Sequence, residues 1–309
     1  SGPVNLDLGL RIPLSVNDDT NADIKITLPG NSAQWDNLPP FENLKGKIRI
    51  TEIHPEFEDV TANFLGGSLK ITSSASNPGK QSFNIAGDIS ANFIKNYLVN
   101  TLKKEPLAIL EAMSGSAKYE GTINFNKAGS ETNLQFDLRD WASTAPIPAK
   151  KVMGSPMVGQ VTFKTKSNSQ PGENRFSWSG KLGNLYTVQG DLNSSDELRY
   201  AIGVGAPANL SQPGFQLNLA SNELNLDAWL DFFRKQKNDA TAVNETSSGN
   251  VFITAQVKKL TLLDRVWQDT SLSASNKSNA WQMRINSPLI AGQAQYQPPN
   301  KAHTSGLIS

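Results

Sequence analysis

Cysteine is absent from all 309 residues. That excludes disulfide staples, thiol catalysis and thiolate metal sites together. Histidine occurs twice, at His54 and His303, separated by most of the chain, so no His-rich metal centre can be built. Charge is also sparse at 18%. Lys plus Arg number 29 and Asp plus Glu 28, leaving a formal net charge of +1. A dedicated nucleic-acid binder needs a basic footprint, and none is present. No apolar run approaches the length that crosses a bilayer as a helix.

Catalytic patterns are missing too. The chain has no Gly-rich phosphate loop ending in Lys-Ser/Thr, no nucleophile elbow and no HExxH. Asp18-Asp19 lacks the spaced oxygen ligands and central glycine of a calcium loop. His54 lies near Glu52, Glu56, Glu58 and Asp59, but it precedes Pro55 where two strands meet at a polar corner. Asp137 and Asp140 sit on a strand pattern, with nothing that singles them out as a glycosidase pair. These absences predict a non-enzyme with no catalytic, metal or cofactor-binding residues, hence no cofactor.

What takes the place of charge is neutral polarity: 30 Asn and 31 Ser. Such residues cover a solvated sheet face without concentrating charge, and the composition is compatible with a bacterial periplasmic or surface location. Period two dominates. Tyr119, Gly121, Ile123 and Phe125 alternate with polar residues, and so do Leu134, Phe136 and Leu138. Val251, Ile253, Ala255 and Val257 repeat the pattern, as do Trp281, Met283 and Ile285. One dry face and one wet face result, the signature of an antiparallel sheet. About sixteen strands are predicted: 22–28, 45–52, 56–63, 67–74, 81–89, 114–126, 131–140, 157–166, 174–180, 184–192, 197–204, 214–220, 249–260, 269–277, 279–287 and 289–296. Turns fall at Asn77-Pro78-Gly79-Lys80, Lys127-Ala128-Gly129-Ser130, Ser169-Gln170-Pro171-Gly172 and Gln212-Pro213-Gly214. The two glycines of Phe64-Leu65-Gly66-Gly67 predict a tight reversal.

Helix is scarce. Residues 90–100 carry Phe93, Ile94, Tyr97 and Leu98 at helical spacing after Ser90, a suitable cap. A short turn follows Pro106. Residues 227–236 place Asp227 at the start and basic residues at the end, as the helix dipole prefers. Residues 237–248 have no period and read as a mobile loop. The six tryptophans are scattered, without the interleaved basic residues of a stacking groove. A loose internal repeat suggests units at 1–113, with short helices in 90–112, at 114–248, and closing hairpins at 249–309, within one continuous elongated domain.

Sixteen strands side by side at about 4.8 Å make a sheet on the order of 75 Å long. Open sheets of that size curl, split or bend. Alternation alone leaves a closed sandwich, such as an adhesin or lectin-like module, and an open apolar trough both possible. Longer motifs separate them. Asn43-Leu-Lys-Gly46 through Ile50, followed by Ala62-Asn63-Phe64-Leu65-Gly66-Gly67, resembles the hairpins of the AsmA-like superfamily in its YhdP branch. Ala112-Met-Ser-Gly-Ser-Ala-Lys-Tyr119-Glu-Gly121, residues 134–151 ending in Ala145-Pro-Ile-Pro148-Ala-Lys-Lys151, and the 249–296 stretch resemble further segments in the same order. The match is weakest over the first forty residues, so the chain reads as an internal or C-terminal piece of a longer protein.

The resemblance implies an all-β fold with a few short helices: a twisted, elongated antiparallel sheet bent into an open apolar trough. It implies a non-enzymatic, periplasmic protein, anchored in the inner membrane as a full-length chain, that moves phospholipids toward the outer membrane. Its partners are phospholipid acyl chains, the two membranes and other envelope proteins, with no nucleic acid. Eight dry-face side chains are expected to share the apolar side and line such a trough: Phe125, Phe136, Phe163, Trp178, Leu217, Ile253, Met283 and Ile285.

Overall fold

A computed structural model describes residues 2, 4–11, 21–34, 39–51, 55–74, 81–100, 108–167, 173–195, 197–239, 250–277, 280–297 and 307–308. Glu52, His54, His303, Asp18, Asp19 and the turns expected at 77–80 and 169–172 lie outside the described residues, apart from Pro55 onward. Two compact units divide the chain. Unit 1 comprises residues 1–143 and 152–167, and unit 2 comprises 144–151 and 168–309.

Unit 1 holds β1 (Asn5–Arg11), β2 (Asn21–Ala33), β3 (Phe41–Thr51), β4 (Pro55–Phe64), β5 (Gly67–Ser73) and β6 (Gln81–Ser90). Then come α1 (Ala91–Asn100), α2 (Ala108–Glu111), β7 (Met113–Asn126), β8 (Gly129–Asp137), β9 (Trp141–Ser143) and β10 (Val158–Lys166). Each strand from β1 to β8 pairs antiparallel with the next, and β10 joins β8. The short β9 pairs with the start of β7. β1 and β10 are not paired with each other, so the sheet is open rather than a barrel.

Unit 2 holds β11 (Asn174–Leu182), β12 (Tyr186–Asn193), β13 (Leu198–Val204), β14 (Gly214–Asn225), α3 (Leu226–Asp239), β15 (Val251–Leu262), β16 (Arg265–Lys277), β17 (Ala280–Asn286), β18 (Ala291–Gln297) and β19 (Leu307–Ile308). Sequential strands are neighbours throughout, and this sheet is open as well. Two of its pairings correct the all-antiparallel expectation. β13–β14 and β14–β15 are parallel, because each return crosses the sheet instead of turning in a hairpin. Residues 205–213 cross on the polar face, where Thr187 Oγ1 accepts from Ala208 N at 2.8 Å and Gln216 Oε1 accepts from Ser211 N at 3.0 Å. The helix α3 crosses on the apolar face.

All sixteen expected strands are present. β1 alternates Leu6, Leu8 and Leu10 with Asp7 and Gly9 and belongs to the same pattern, although the sequence reading omits it. The expected reversal at Leu65-Gly66 is a two-residue hairpin turn with φ of 55° and 79°. α1 begins as expected, with Ser90 Oγ accepting from Phe93 N at 3.4 Å. α3 departs from expectation twice. It runs through Asp239, three residues into the expected loop, whose remainder lies outside the described residues. Its cap is Asn225, whose Oδ1 accepts from Ala228 N at 2.9 Å.

Strict alternation also fails at one level in each unit. In unit 2, β14, β15 and β16 each carry one extra residue, at Asn222, Lys258 and Asp269, and the cross-strand register resumes beyond them. The apolar phase therefore shifts from Val257 to Leu260 and from Leu272 to Trp267. In unit 1 the register shifts around Gly30 in β2, Asn43 and Gly46 in β3, and Asp59 in β4. Asn43, Asp59 and Asp269 take positive φ, which short polar side chains tolerate better than branched ones. Extra residues bend a strand and raise its twist. Repeated in three neighbours, they bend the sheet without exposing its dry face.

On the polar side of unit 2 lies a part-buried ion pair. Arg199 donates two hydrogen bonds of 2.8 Å to Asp191, which is 4% exposed and also accepts from Asn174 Nδ2 at 3.2 Å. Replacing Arg199 with Met leaves that carboxylate buried without its counter-charge. A loss of about 3 kcal/mol is expected in urea unfolding, and a change under about 0.5 kcal/mol, the scale of an ordinary surface substitution, would show the pair to be dispensable.

Candidate functional site

Register decides which side chains share a face, since residues opposite each other across paired strands point the same way. In unit 1 one row runs Ala62, Leu69, Gly87, Tyr119, Phe136 and Gly159 across β4 to β10. The next carries Val60, Ile71, Ile85, Gly121, Leu134 and Val161, and the one beyond it Phe83, Ile123, Thr132 and Phe163. Phe125 lies at the open end, its ring centroid 5.8 Å from that of Phe83. Phe125, Phe136 and Phe163 therefore share one apolar face.

Tyr119 brings a phenolic hydroxyl into the middle of that face, two rows from Thr132. Gly87 makes room for it: a Cβ there would stand 2.8 Å from the phenolic oxygen. Burial, reinforced by the charge of Asp88, pushes the Tyr119 phenol up to about 12. It stays neutral at any physiological pH, so the face carries no charge at that point.

Unit 2 repeats the arrangement. A middle row runs Gly180, Val188, Ile202, Leu217, Ile253, Ala274, Met283 and Ala294. On one side of it lies Trp178, Gly190, Tyr200, Phe215, Val251, Asn276 and Trp281; on the other, Tyr186, Val204, Leu219, Ala255, Leu272 and Ile285. Trp178, Leu217, Ile253, Met283 and Ile285 thus share the apolar face of unit 2. Trp178 lies flat over Gly190, where a Cβ would come within 1.9 Å of the indole.

The two ends of this face differ. At the Ile285 end, Trp229 and Leu226 of α3 pack on Leu224, Ala255, Val257 and Leu260, and Leu260 is fully buried. Segment 144–151 lies over the same end: Tyr186 Oη donates to Pro148 O at 2.6 Å, and Trp229 Nε1 donates to Ile147 O at 3.0 Å. Away from this cover the face stays accessible, with Met283 40% and Tyr200 40% exposed. The covering α3 and the 144–151 segment leave no trace in the period-two pattern. The end charges and the apolar stripe of 227–236 signal α3, and nothing in the pattern signals that 144–151 lies over the face.

The opposite faces are polar. Gln135 and Thr254, neighbours of dry-face residues, lie there, and Thr254 hydroxyl bonds Asn218 Oδ1. On the polar face of unit 1 a shallow depression of about 740 Å³ is floored by Thr72, Asn84, Glu120, Asn133 and Gln160. Lys70 lines it as well, and no cluster of metal-ligating side chains occurs among the described residues. Among them, too, no helix is long and apolar enough to cross a membrane. Asp137 sits at the end of β8 with Oδ1 accepting from Arg139 N at 2.9 Å, a turn contact.

Open sheets with one neutral, partly accessible apolar face define a class of β protein that offers surface rather than reactive groups. The chain belongs to the YhdP family: the family described as YhdP protein matches residues 1–307. The match includes the first forty residues, where the quoted motifs are sparse. Members of this branch of the AsmA-like superfamily are non-catalytic lipid-transport proteins, and the chain is accordingly not an enzyme. No curated protein and no solved structure matches it.

Trp178 provides a direct reading of the face's packing. Gly190→Ala forces the indole off the strand, so a shift in tryptophan emission and a loss of about 1–2 kcal/mol are expected. Unchanged emission and stability would mean that the ring does not rest on Gly190.

Proposed function

We propose that the apolar faces of both units shield phospholipid acyl chains from water during transfer between the membranes of a Gram-negative envelope. The observation that carries this is the coincidence of eight large apolar side chains on the two faces with incomplete cover over them. Exposing a sixteen-carbon chain to water costs about 12 kcal/mol at about 0.8 kcal/mol per CH₂. Side chains such as Phe136 and Ile253 replace that water with apolar contact, while head groups remain at the solvated rim. Phe125, Phe136 and Phe163 do this in unit 1, and Trp178, Leu217, Ile253 and Met283 in unit 2. Ile285, packed against the buried Leu224–Leu260 cluster, marks where the accessible strip ends.

The chain works in the periplasm as part of a protein anchored in the inner membrane, passing phospholipid toward the outer membrane. Transfer requires no bond-making, which agrees with faces that offer no reactive group. The faces carry no fixed charge, so head-group preference is weak. Many similar apolar contacts let a lipid advance, whereas one strong ionic grip would hold it in place.

Site-specific photocrosslinking in cells tests this. Probes at Phe136 and Ile253 should label phospholipid, and probes at Gln135 and Thr254 on the polar faces should not. Asp at Ile253 should abolish labelling from neighbouring Leu217, because the new carboxylate is desolvated by any bound chain. Equal labelling of both faces, or none from either, overturns the lipid reading.

A further inference from the structure

One end of unit 2 concentrates exposed apolar side chains beyond what a solvated surface carries by chance. Leu263 is 75% exposed, Ile147 64%, Phe233 46% and Leu230 39%. Three contacts bring them together. The Asp227 carboxylate at the start of α3 accepts from Leu263 N and from Asp264 N, both at 2.9 Å. Trp229, two residues further on, donates to Ile147 O at 3.0 Å. Leu230 and Phe233 follow on the next turn, with the Phe233 ring 5.6 Å from that of Trp229.

Leu263 is the informative residue. It and Asp264 form the β15–β16 turn with φ of 56° and 55°, positions that ordinarily take Asn or Gly. A branched aliphatic side chain there is strained and projects into solvent, and Asp227 locks the turn so that it cannot fold back. Local strain of this kind collects where it serves a function. The rim carries both signs: Arg234 pairs with Asp231 at 3.1 Å, and Lys235, Arg265 and Asp264 are exposed beside them. A rim with no dominant sign complements head groups that themselves carry one positive and one negative charge.

We propose, resting on the lipid-carrying reading of unit 2's apolar face, that this end docks on the surface of a zwitterionic phospholipid bilayer. Leu263, Phe233, Leu230 and Ile147 enter the interfacial layer, and the charged rim stays among the head groups. The apolar stripe of α3 that covers the end of the apolar face through Leu226 and Trp229 continues beyond the cover as Leu230 and Phe233. Docking thus places the end of the acyl-chain strip against the source or sink of lipid.

Flotation of the 309-residue chain with vesicles of phosphatidylethanolamine and phosphatidylcholine is the test. The unaltered chain should float, and Leu263→Asp should weaken vesicle binding by at least about tenfold. Leu263→Asn should weaken it likewise while relieving the turn, so loss of binding with this variant is not loss of fold. Photocrosslinking from Ile253 is read in the same samples. No flotation with lipid crosslinked at Ile253 overturns docking and leaves the lipid reading standing; no flotation and no crosslink overturns both. Flotation undiminished by either Leu263 variant overturns docking through this patch. Light scattering that shows a dimer dispersed by Leu263→Asn assigns the patch to a second copy of the chain and overturns the proposal.

Discussion

Cross-strand register is the constraint on which everything else in this protein depends. A strand turns successive side chains to opposite faces, and hydrogen bonding to its neighbour fixes which ones line up. A slip of one residue between β7 and β8 would set Phe136 beside Lys118 or Glu120 instead of Tyr119. The whole apolar face of unit 1 rests on that pairing, and on its repetition through β10. Little bulk stands behind it as a second safeguard: among the described residues, eight of the seventeen buried hydrophobic residues are alanines, and most of the large side chains on the faces are only half-buried.

Bending such a sheet threatens the register, and the aligned extra residues answer that threat. Lys258 alone would turn every later side chain of β15 to the wrong face relative to β14 and β16. Asn222 and Asp269 make the same shift in the neighbours, so Leu224, Leu260 and Trp267 arrive together on the dry side. The cover of α3 sits over this shifted patch. Curvature, phase and helix docking are therefore one feature, built where the sequence reads Val257-Lys258-Lys259-Leu260.

Neutrality is the second recurring property. Tyr119 stays protonated through burial, and the carboxylate of Asp191 is turned to the polar face and paired with Arg199. Glycines at 87 and 190 make room for Tyr119 and Trp178, so aromatic area replaces backbone on the dry side. The result is a surface that attracts hydrocarbon and discriminates little among head groups. Selectivity and direction, on this reading, belong to whatever meets the ends of the strip.

Alternation by itself determined the strands, the two-faced sheet and the shared side of Phe125, Phe136 and Phe163, and of Trp178, Leu217, Ile253, Met283 and Ile285. It could do so because side-chain direction in a strand follows from backbone geometry, two residues at a time. The ordered motifs from Asn43 to Ala294 added the family. Tertiary structure alone decided the rest. The parallel placement of β14 depends on where residues 205–213 and α3 cross, and no local pattern encodes which face a crossover takes. Asp227 reads as a helix-end charge but serves the turn at Leu263, thirty-six residues away along the chain. Ile285 has the same alternation as Met283, yet only Ile285 packs against the buried Leu224–Leu260 cluster. Period two reports which face a residue is on, and only packing reports what stands over that face.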